Sequence, residues 1–364
     1  MLEENECEEN NISYKMFCER NKGWTNYITK KYDNMFLSGD RIKKYAKIVW
    51  NNHSDKDIEE IYKDMCMEAE EYRIGPEEYV YYNFIQKSFE ERRTFISDRE
   101  HIDLVEKLNK ARNQKYFDDK FETYKKYSKY YKRQVYIAFN KDAKTVSDLV
   151  DLFSGLNKII VKPIFGSCGQ GIKIYPINRQ NLKKQVNQVL DEYFLKDNTG
   201  IIIEEVVEQI QELASFHPQS LNTIRITTLI NKEDKVEIIH PFLRLGQGKS
   251  IVDNGGSGGV MCPIDIKSGK IIAAADENGK MYDVHPDSKI PIIGFQVPKW
   301  NEAMEMAIEL ARQIPSNRYA GWDLALTKNG WLMLEGNARG QFVGWKIPMQ
   351  KGFRKEWNEL TKGL

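Results

Sequence analysis

The chain has 364 residues and a mass of 42.6 kDa, which exceeds what one small hydrophobic core needs, so two or three lobes are expected. Its 54 Lys and Arg side chains are almost balanced by 53 Asp and Glu. This near-neutral charge excludes recognition of nucleic acid or an anionic membrane by overall charge, and either partner would need a local basic patch.

The five cysteines are scattered and lack the spacing of a metal site or a disulfide framework. No run approaches 18 apolar residues, so membrane insertion is not expected. The first ten residues, MLEENECEEN, are acidic where a signal peptide would be basic and then apolar. These features predict a soluble cytoplasmic protein with free thiols.

The first hundred residues are rich in Glu, Lys, Tyr and Asn and contain no long β-branched run. We therefore predict a mainly helical region over residues 1–109. Its clearest helix runs from Ile58 to Tyr72, where apolar residues recur at helical spacing. A second helix is predicted over His101–Asn113.

A basic and aromatic segment follows from Lys110 to Arg133, with nine Lys or Arg against three acids and seven interleaved aromatic rings. Three interpretations of this pattern remain open. The first is a solvated helix whose tyrosine face packs inward. The others are a contribution to phosphate binding and an RNA-binding groove, and the near-neutral charge of the whole chain disfavours the last.

Beyond residue 157 the composition changes to apolar β-branched runs separated by Gly and polar turns, which is typical of an α/β region. Strands are predicted at Ile159–Val161, Ile172–Tyr175, Ile201–Val207, Ile224–Ile230, Val236–His240 and Leu324–Leu334. Helices are predicted at about 179–194 and 298–314, the second with one apolar face.

A hairpin over Tyr319–Gly340 carries the strongest chemical signal. A three-residue loop, Lys328-Asn329-Gly330, would pair Thr327 with Trp331 and so place Asp323 opposite Glu335. Opposed side chains in such a pair lie about 5 Å apart, and Asn337 shares the same face by the period-two rule. Two carboxylates and an amide oxygen suit Mg²⁺. A solvent-facing strand surface is the alternative.

A glycine-rich loop follows the predicted strand that ends at Lys162-Pro163. Its residues Gly166, Ser167, Gly169 and Gly171 would let backbone amides approach phosphate oxygens, with Lys162 as a point charge. The sequence is not a Walker A loop, because Ile172-Lys173 follows where Lys-Ser/Thr is required. An ordinary hairpin explains the pattern equally well.

Two further segments have the composition of a binding site. The strand Ile201–Val207 runs into acidic residues, as a strand end that meets a nucleotide would, although a solvated terminus has the same pattern. In LNTIRITTL, alternation puts Arg225 opposite in orientation to Ile224 and Ile226, so it is a candidate anion clamp or a surface salt bridge. The run DNGGSGGV, which contains Asn254, is a flexible turn or a substrate loop.

In order, these motifs resemble the ATP-grasp superfamily over about residues 110–350. The phrases HPQSLNTIRITTL, DNGGSGGV and GWDLALTKNGWLMLEGNARG look most like its sugar-transfer-associated branch, which accompanies polysaccharide and capsule biosynthesis. The resemblance implies an α/β (α+β) fold in which two lobes hold ATP between them, after the helical region. It implies lobes at residues 110–200 and 201–364, the second with the metal site.

The resemblance also implies roles for individual residues. Lys120 and Lys162 would contact the ATP phosphates together with the glycine loop. Glu205 and the backbone near Val207 would meet adenine, and Glu212 would meet ribose, with Glu204 and Glu208 as alternates. The implied metal ligands, for two Mg²⁺ ions, are Asp323, Glu335 and Asn337. The implied catalytic residues on the acceptor side are Arg225, Asn254 and Arg339.

Two departures from better-known ligases of the superfamily are visible. Gly321 stands two residues before Asp323, where those ligases have an arginine, so Arg225 or Arg339 must supply that charge. The first hundred residues also lack a glycine-rich βαβ pattern, so helices replace the first lobe of those ligases.

The implied reaction is ADP-forming ligation of a small carboxylate to an amine through an acylphosphate, on a sugar nucleotide or glycan precursor. Two alternatives are a kinase acting on a sugar or polyol hydroxyl and a non-catalytic nucleotide-binding component of polysaccharide assembly. Because the chain is nearly neutral, no nucleic-acid partner is expected, and the oligomeric state has no signature in the sequence.

Overall fold

A computed structural model describes residues 39–165, 171–194 and 200–364. Within these ranges the helices α1 to α13 are Gly39–Asn52, Ile58–Tyr72, Pro76–Tyr81, Phe89–Arg93, Asp98–Leu108, Lys115–Asp118, Lys120–Tyr127, Ala143–Ser154, Leu182–Phe194, Gln211–Ala214, Trp300–Arg312, Val343–Met349 and Arg354–Leu360. The strands β1 to β9 are Val135–Ala138, Lys158–Pro163, Lys173–Pro176, Ile201–Glu205, Ile224–Ile230, Val236–Leu245, Val260–Pro263, Tyr319–Thr327 and Gly330–Asn337.

The described part of the N-terminal region is helical, as predicted. Helix α2 has the predicted bounds, and it begins where the Asp57 carboxylate accepts a hydrogen bond from the Glu59 amide, 3.0 Å away. Its apolar face packs with α1, and the resulting core extends onto Met261 and Ile347 of the C-terminal part. The N-terminal helices therefore form one body with the second sheet. The predicted helix over His101–Asn113 is α5 followed by a 3₁₀ turn at Ala111–Asn113.

The first sheet has the strand order β1-β4-β2-β3 and is antiparallel throughout. Helices α8 and α9 cover one face, where Val161 and Ile203 are fully buried. The opposite face carries Ile160 and Lys162 by alternation along β2. Strand β4 begins just after residue 200, the predicted boundary between the lobes, but it pairs with β1 and β2 and so belongs to the first sheet.

The second sheet has the strand order β7-β6-β5-β8-β9, also antiparallel. Helix α11 packs on one face together with the tyrosines of the basic segment, and Tyr127, Tyr130 and Tyr131 are buried there. The inward-facing tyrosine interpretation of that segment is confirmed. With two α+β lobes and a helical N-terminal region, the predicted fold class is confirmed. No helix in the described ranges is both long and apolar enough to cross a membrane.

The hairpin turn differs from the prediction, although the pairing that matters is the predicted one. Thr327 pairs with Gly330 rather than Trp331, so the loop has two residues. A β-bulge at Leu334 then inserts one extra residue and restores the pairing of Asp323 with Glu335. The bulge keeps Met333 in the core while it turns Glu335 toward Asp323, because an unbulged strand would bring Leu334 opposite Asp323.

A buried histidine joins the helical region to the second sheet. His101 lies in α5, and its Nε2 is 3.0 Å from the hydroxyl of Tyr319, the first residue of β8. Burial, and secondarily the Lys346 ammonium, lowers the pKa of His101 to about 4. The folded protein therefore keeps this ring neutral.

Stability should fall as the pH drops from about 6.5 to 4, since the unfolded state, with an ordinary histidine pKa, takes up the proton first. Above pH 6.5 the neutral His101 causes no loss of stability, and between pH 6.5 and 4 the free energy of unfolding falls by at most roughly 3 kcal/mol. His101→Gln keeps an amide donor for Tyr319 and does not titrate. Urea unfolding at several pH values should show that the free energy of unfolding depends less on pH in this variant than in the wild type. An identical pH dependence would contradict the proposed neutral, buried state of His101.

Candidate functional site

A row of charged side chains crosses one face of the second sheet. Glu335 on β9 pairs with Asp323 on β8, and Asp323 pairs with Arg225 on β5. Residues paired in register across strands point to the same face, so the three side chains meet. Arg225 alternates along β5 with Ile224 and Ile226, which are fully buried and point to the opposite face.

Asp323 is the centre of this row and is only 2% exposed. Arg225 donates two hydrogen bonds to it, from Nε to Oδ1 and from Nη2 to Oδ2, the second at 2.9 Å. Arg244 on β6 adds a contact of 2.9 Å from Nη2 to Oδ2. Burial by itself would raise the pKa of Asp323, but the two guanidinium groups outweigh it and hold that pKa well below its ordinary value.

Glu335 faces Asp323 without an arginine of its own among the described contacts. Its side chain is solvent accessible, and the Asn337 amide lies within 3.4 Å of its Oε1. Desolvation by the surrounding protein and the neighbouring Asp323 carboxylate both raise the pKa of Glu335. A cation between the two carboxylates would remove this repulsion, so the donor set fits a divalent ion.

The geometry also limits how Asp323 can bind such an ion. A carboxylate has about four lone-pair positions, and the two arginines occupy three of those on Asp323, so it can offer one more bond. Within the described ranges no three His, Cys, Asp or Glu side chains cluster as a protein-only metal site. An ion held by Asp323, Glu335 and Asn337 would therefore need further ligands from a bound molecule.

Two lysines, Lys162 on β2 and Lys120 on α7, lie close together between the two sheets. The Lys162 ammonium lies 3.1 Å from Glu204, a carboxylate that is 3% exposed. Arg133 binds the other oxygen of Glu204 at 2.7 Å and donates to the Met333 carbonyl on β9 at 2.8 Å. Burial opposes ionisation of Glu204, but Arg133 and Lys162 lower its pKa overall. This ion network joins the two sheets.

Lys120 lies beside Lys162 at the start of α7. Its backbone amide donates to the Ile164 carbonyl at 3.2 Å, and its ammonium lies 3.4 Å from the same oxygen. Burial, and then the Lys162 ammonium, lowers the pKa of Lys120, while Glu335 and Glu204 act in the opposite direction. Two adjacent ammonium groups across from Glu335 make this part of the cleft suited to a polyanion.

The glycine loop is described only at its end. Gly166, Ser167 and Gly169 lie outside the described residues. Gly171 has a φ of +70°, and a Cβ there would lie 2.8 Å from Pro163 Cγ, so a side chain at this position would be strained. The loop therefore leaves β2 next to Lys162 and returns in β3 through a position that needs glycine.

An apolar surface beside Lys162 was not predicted from the sequence. Ile160 pairs with Ile174 on one side and with Glu204 on the other, so all three share the cleft face. Ile174 is 45% exposed there, an unusual setting for a β-branched apolar side chain. The alternation of IIVK on β2 is the sequence signal that points to it.

The proposed base- and ribose-binding residues lie on the connection between the sheets. Glu205, half-buried, accepts a bond from the Gln134 amide at 3.2 Å, and Val207 follows the end of β4. The chain then joins the second sheet through a bond of 3.0 Å from the Ile210 amide to the Leu326 carbonyl. Glu212 is exposed on the short helix α10. Glu204, an alternate for the nucleotide, instead anchors Lys162 and Arg133.

Arg244 is a site residue that the sequence did not reveal, because the predicted strand stopped at His240 whereas β6 continues to Leu245. Its Nε and Nη2 bond to the Thr223 hydroxyl at 2.9 and 2.6 Å, and Asp253 lies 3.6 Å away. Asp253 in turn accepts from the Thr223 amide at 2.8 Å. Arg244 thus connects Asp323 to the beginning of the DNGGSGGV loop.

Asn254 and Arg339, the other predicted acceptor-side residues, are both exposed, whereas Arg225 lies in the sheet. Asn254 is exposed, one residue after Asp253, and its carbonyl accepts from the Gly259 amide at 3.0 Å. Arg339 is exposed and pairs with Glu106 at 2.9 Å. The Arg225 side chain occupies the space beside Gly321, where a Cβ would lie 3.1 Å from Arg225 Cδ. Glycine at 321 therefore makes room for an arginine from the neighbouring strand.

The family described as sugar-transfer associated ATP-grasp matches residues 99–362. No curated protein matches the chain. Among solved structures, D-alanyl-alanine synthetase A from Vibrio cholerae O1 biovar eltor matches at 10% identity and a TM-score of 0.40, over 66% of this chain and 60% of its own.

Two other solved structures are similar to the same extent. The N5-carboxyaminoimidazole synthetase from Staphylococcus aureus, complexed with ADP, matches at 12% identity and a TM-score of 0.42, over 73% of this chain and 58% of its own. The D-cycloserine synthetase DcsG matches at 11% identity and a TM-score of 0.42, over 79% of this chain and 82% of its own. The chain thus spans less than two thirds of the first two structures.

Proposed function

This chain belongs to the sugar-transfer associated ATP-grasp family, and from that premise we propose that it is an ATP- and Mg²⁺-dependent carboxylate–amine ligase. The proposed reaction forms ADP and passes through an acylphosphate, which an amine then captures. One observation supports the proposal: the Lys120 ammonium interacts with both the Lys162 ammonium of the first sheet and the Glu335 carboxylate, which pairs with Asp323 in the second sheet. A phosphate-binding charge would then lie beside a cation site.

The nucleotide would lie between the two sheets. Lys120 and Lys162 bind its phosphates together with the amides of the glycine loop, including Gly166, Ser167, Gly169 and Gly171. Ile160 and Ile174 contact one face of the adenine, since both present apolar surface in the cleft. The Glu205 and Val207 segment meets the adenine edge, and Glu212 meets the ribose hydroxyls.

Asp323, Glu335 and Asn337 would hold two Mg²⁺ ions, with phosphate oxygens completing the open coordination. Bound there, the ions would neutralise charge on the transferred phosphoryl group. The protein's own part is to hold the carboxylates in place, and Arg225 and Arg244 do so from two adjacent strands. The arginines also offset the negative charge of Asp323, which would otherwise repel an anionic substrate.

Arg225 is the proposed contact for the substrate carboxylate and its acylphosphate. Its Nε and Nη2 hold Asp323, and among the described residues no hydrogen bond uses Nη1. Preorganised donors at developing charge are a large source of rate enhancement. Asn254 and the glycines around it form the proposed acceptor loop, which Asp253 fixes to the sheet and which would exclude water from the intermediate. Arg339 is the alternative source of positive charge.

We propose a sugar or polysaccharide precursor as the molecule modified, an amino acid or amine as the second substrate, and the cytoplasm as the location. An isotope experiment tests the reaction class. Substrates chosen from a panel of amino acids and uronic-acid sugar nucleotides by ADP release are prepared with ¹⁸O in the carboxylate. Ligation moves one ¹⁸O into inorganic phosphate, whereas phosphorylation of a hydroxyl leaves phosphate on the product, and that result would replace the ligase by a kinase.

Lys162→Met should weaken ATP binding about tenfold or more, because a charge-assisted phosphate contact contributes roughly 1.5–3 kcal/mol. The Glu204 carboxylate would keep Arg133 as its partner, so the lobe should stay folded. Titration calorimetry with a nonhydrolysable ATP analogue measures the effect. Lys173→Met is the matched control, since Lys173 also lies on the first sheet but pairs with Glu192. Equal affinity in the two variants would refute the phosphate role of Lys162.

A further inference from the structure

One side chain of the helical N-terminal region bonds to both ends of the hairpin that carries Asp323 and Glu335. Asn109 follows α5, and its amide nitrogen donates to the Tyr319 carbonyl at 2.9 Å and to the Ala338 carbonyl at 3.0 Å. Its oxygen accepts from the Tyr319 amide at 2.9 Å. Tyr319 begins β8, and Ala338 directly follows Asn337, the last residue of β9. Asn109 therefore ties the start of one strand to the end of the other.

A second contact holds the same segment two residues later. The Tyr319 hydroxyl donates to the Gly340 carbonyl, and His101 Nε2 lies 3.0 Å from that hydroxyl. Since the hydroxyl proton is used on Gly340, the hydroxyl must accept from His101, whose ring then carries its proton on Nε2. His101, Tyr319 and Gly340 form one directed chain of hydrogen bonds in the interior.

The segment that these contacts hold lies next to Gly321 and Arg225, a proposed catalytic residue. A Cβ on Gly340 would lie 3.1 Å from the Gly321 Cα and 3.4 Å from Arg225 Nη1, so the segment passes close to both. Asn337 pairs with Gly321, which has no side chain to hold it. Asn337 is held by its pairing with Gly321 and its 3.4 Å contact with Glu335, and the chain just after it is held by Asn109 and Tyr319.

We infer that Asn109 and Tyr319 are positioning residues that fix the Ala338–Gly340 segment and thereby aim Asn337 into the cation site. The helical region is then part of the site's architecture rather than a separate appendage. The family match starts at residue 99 and so includes Asn109. This inference rests on the proposed function, since it assumes that Asn337 is a metal ligand. Groups that orient metal ligands typically contribute 10–100-fold to metal affinity.

The test measures Mn²⁺ binding by electron paramagnetic resonance in the presence of a nonhydrolysable ATP analogue, on the full chain. Asn109→Ala should weaken Mn²⁺ affinity about 10–100-fold. Tyr319→Phe keeps the ring packing and removes the bond to Gly340, and it should weaken the affinity in the same direction. Asn113→Ala is the control, because Asn113 is also buried and bonds to Ser316 at 2.9 Å, before β8 begins. Its Mn²⁺ affinity should equal that of the wild type.

Amide hydrogen exchange provides a second measurement that does not depend on metal. Exchange at residues 338–340 should accelerate in Asn109→Ala and Tyr319→Phe and stay unchanged in Asn113→Ala. Wild-type Mn²⁺ affinity in both variants would overturn the inference and leave the proposed function intact. A wild-type protein that binds the ATP analogue but no Mn²⁺ would overturn the metal site itself, and with it this role.

Discussion

Glu335→Gln is expected to lower the rate of ADP release at least about 100-fold, with almost no change in the unfolding temperature. The amide has the shape of the carboxylate but cannot supply the negative charge that a shared Mg²⁺ site requires. Folding should be unaffected because Glu335 is solvent accessible and faces another carboxylate, so its charge does not stabilise the fold. Steady-state ADP release and thermal unfolding of the same preparation provide the measurement.

A matched control separates the loss of this carboxylate from a general charge effect. Glu237→Gln removes an acid from β6 of the same sheet, where it pairs with Lys235 at 2.8 Å, and should keep normal turnover. If Glu335→Gln retained turnover close to that of the wild type, Glu335 would not be a metal ligand.

Asp323→Asn should lower stability as well as turnover, unlike Glu335→Gln, although the sequence predicts the same metal-binding role for both acids. Asp323 compensates the buried guanidinium groups of Arg225 and Arg244, so its neutralisation leaves two cations short of a counter-charge. Breaking a buried ion pair from one side costs about 3–5 kcal/mol. We expect loss of turnover together with a clear fall in the free energy of unfolding, and Glu335→Gln is therefore the cleaner test of the metal site.

Arg225→Lys is expected to lower turnover about 100-fold or more while the affinity for the ATP analogue stays within a few-fold of the wild type. An ammonium cannot hold both Asp323 oxygens and still present a third donor, which the forked guanidinium does. Arg244 would keep Asp323 in place, so nucleotide binding should survive. Single-turnover ADP formation combined with titration calorimetry distinguishes the two effects.

Arg339→Ala is the control for this experiment. Its side chain is exposed and pairs with Glu106 on the surface, and such pairs contribute little. Near-normal turnover is expected. If Arg339→Ala lost turnover while Arg225→Lys kept it, the acceptor-side charge would come from Arg339, and Arg225 would be a structural partner of Asp323.

Local physical chemistry accounts for what the sequence predicted well. Helix α2 has the predicted bounds because apolar periodicity and the Asp57 cap are both encoded within a few residues. The facing of Asp323 and Glu335 was also predicted, although from the wrong turn. A one-residue error in the loop was cancelled by a one-residue bulge at Leu334, since the core needs Met333 inside whatever the loop length.

The sequence by itself therefore predicted that Asp323 faces Glu335 and placed Lys162 and Arg225 on strands, because alternation along a strand assigns each side chain to a face. Lys120, which lies on helix α7, was identified only through the resemblance to the ATP-grasp superfamily. Only the tertiary structure decided which distant groups support them. Arg244 reaches Asp323 across the sheet, Arg133 joins Glu204 to β9, and Asn109 holds the chain after Asn337. Such contacts depend on strand order and on how the helical region packs, and these are set by burial of whole faces, which no local pattern records.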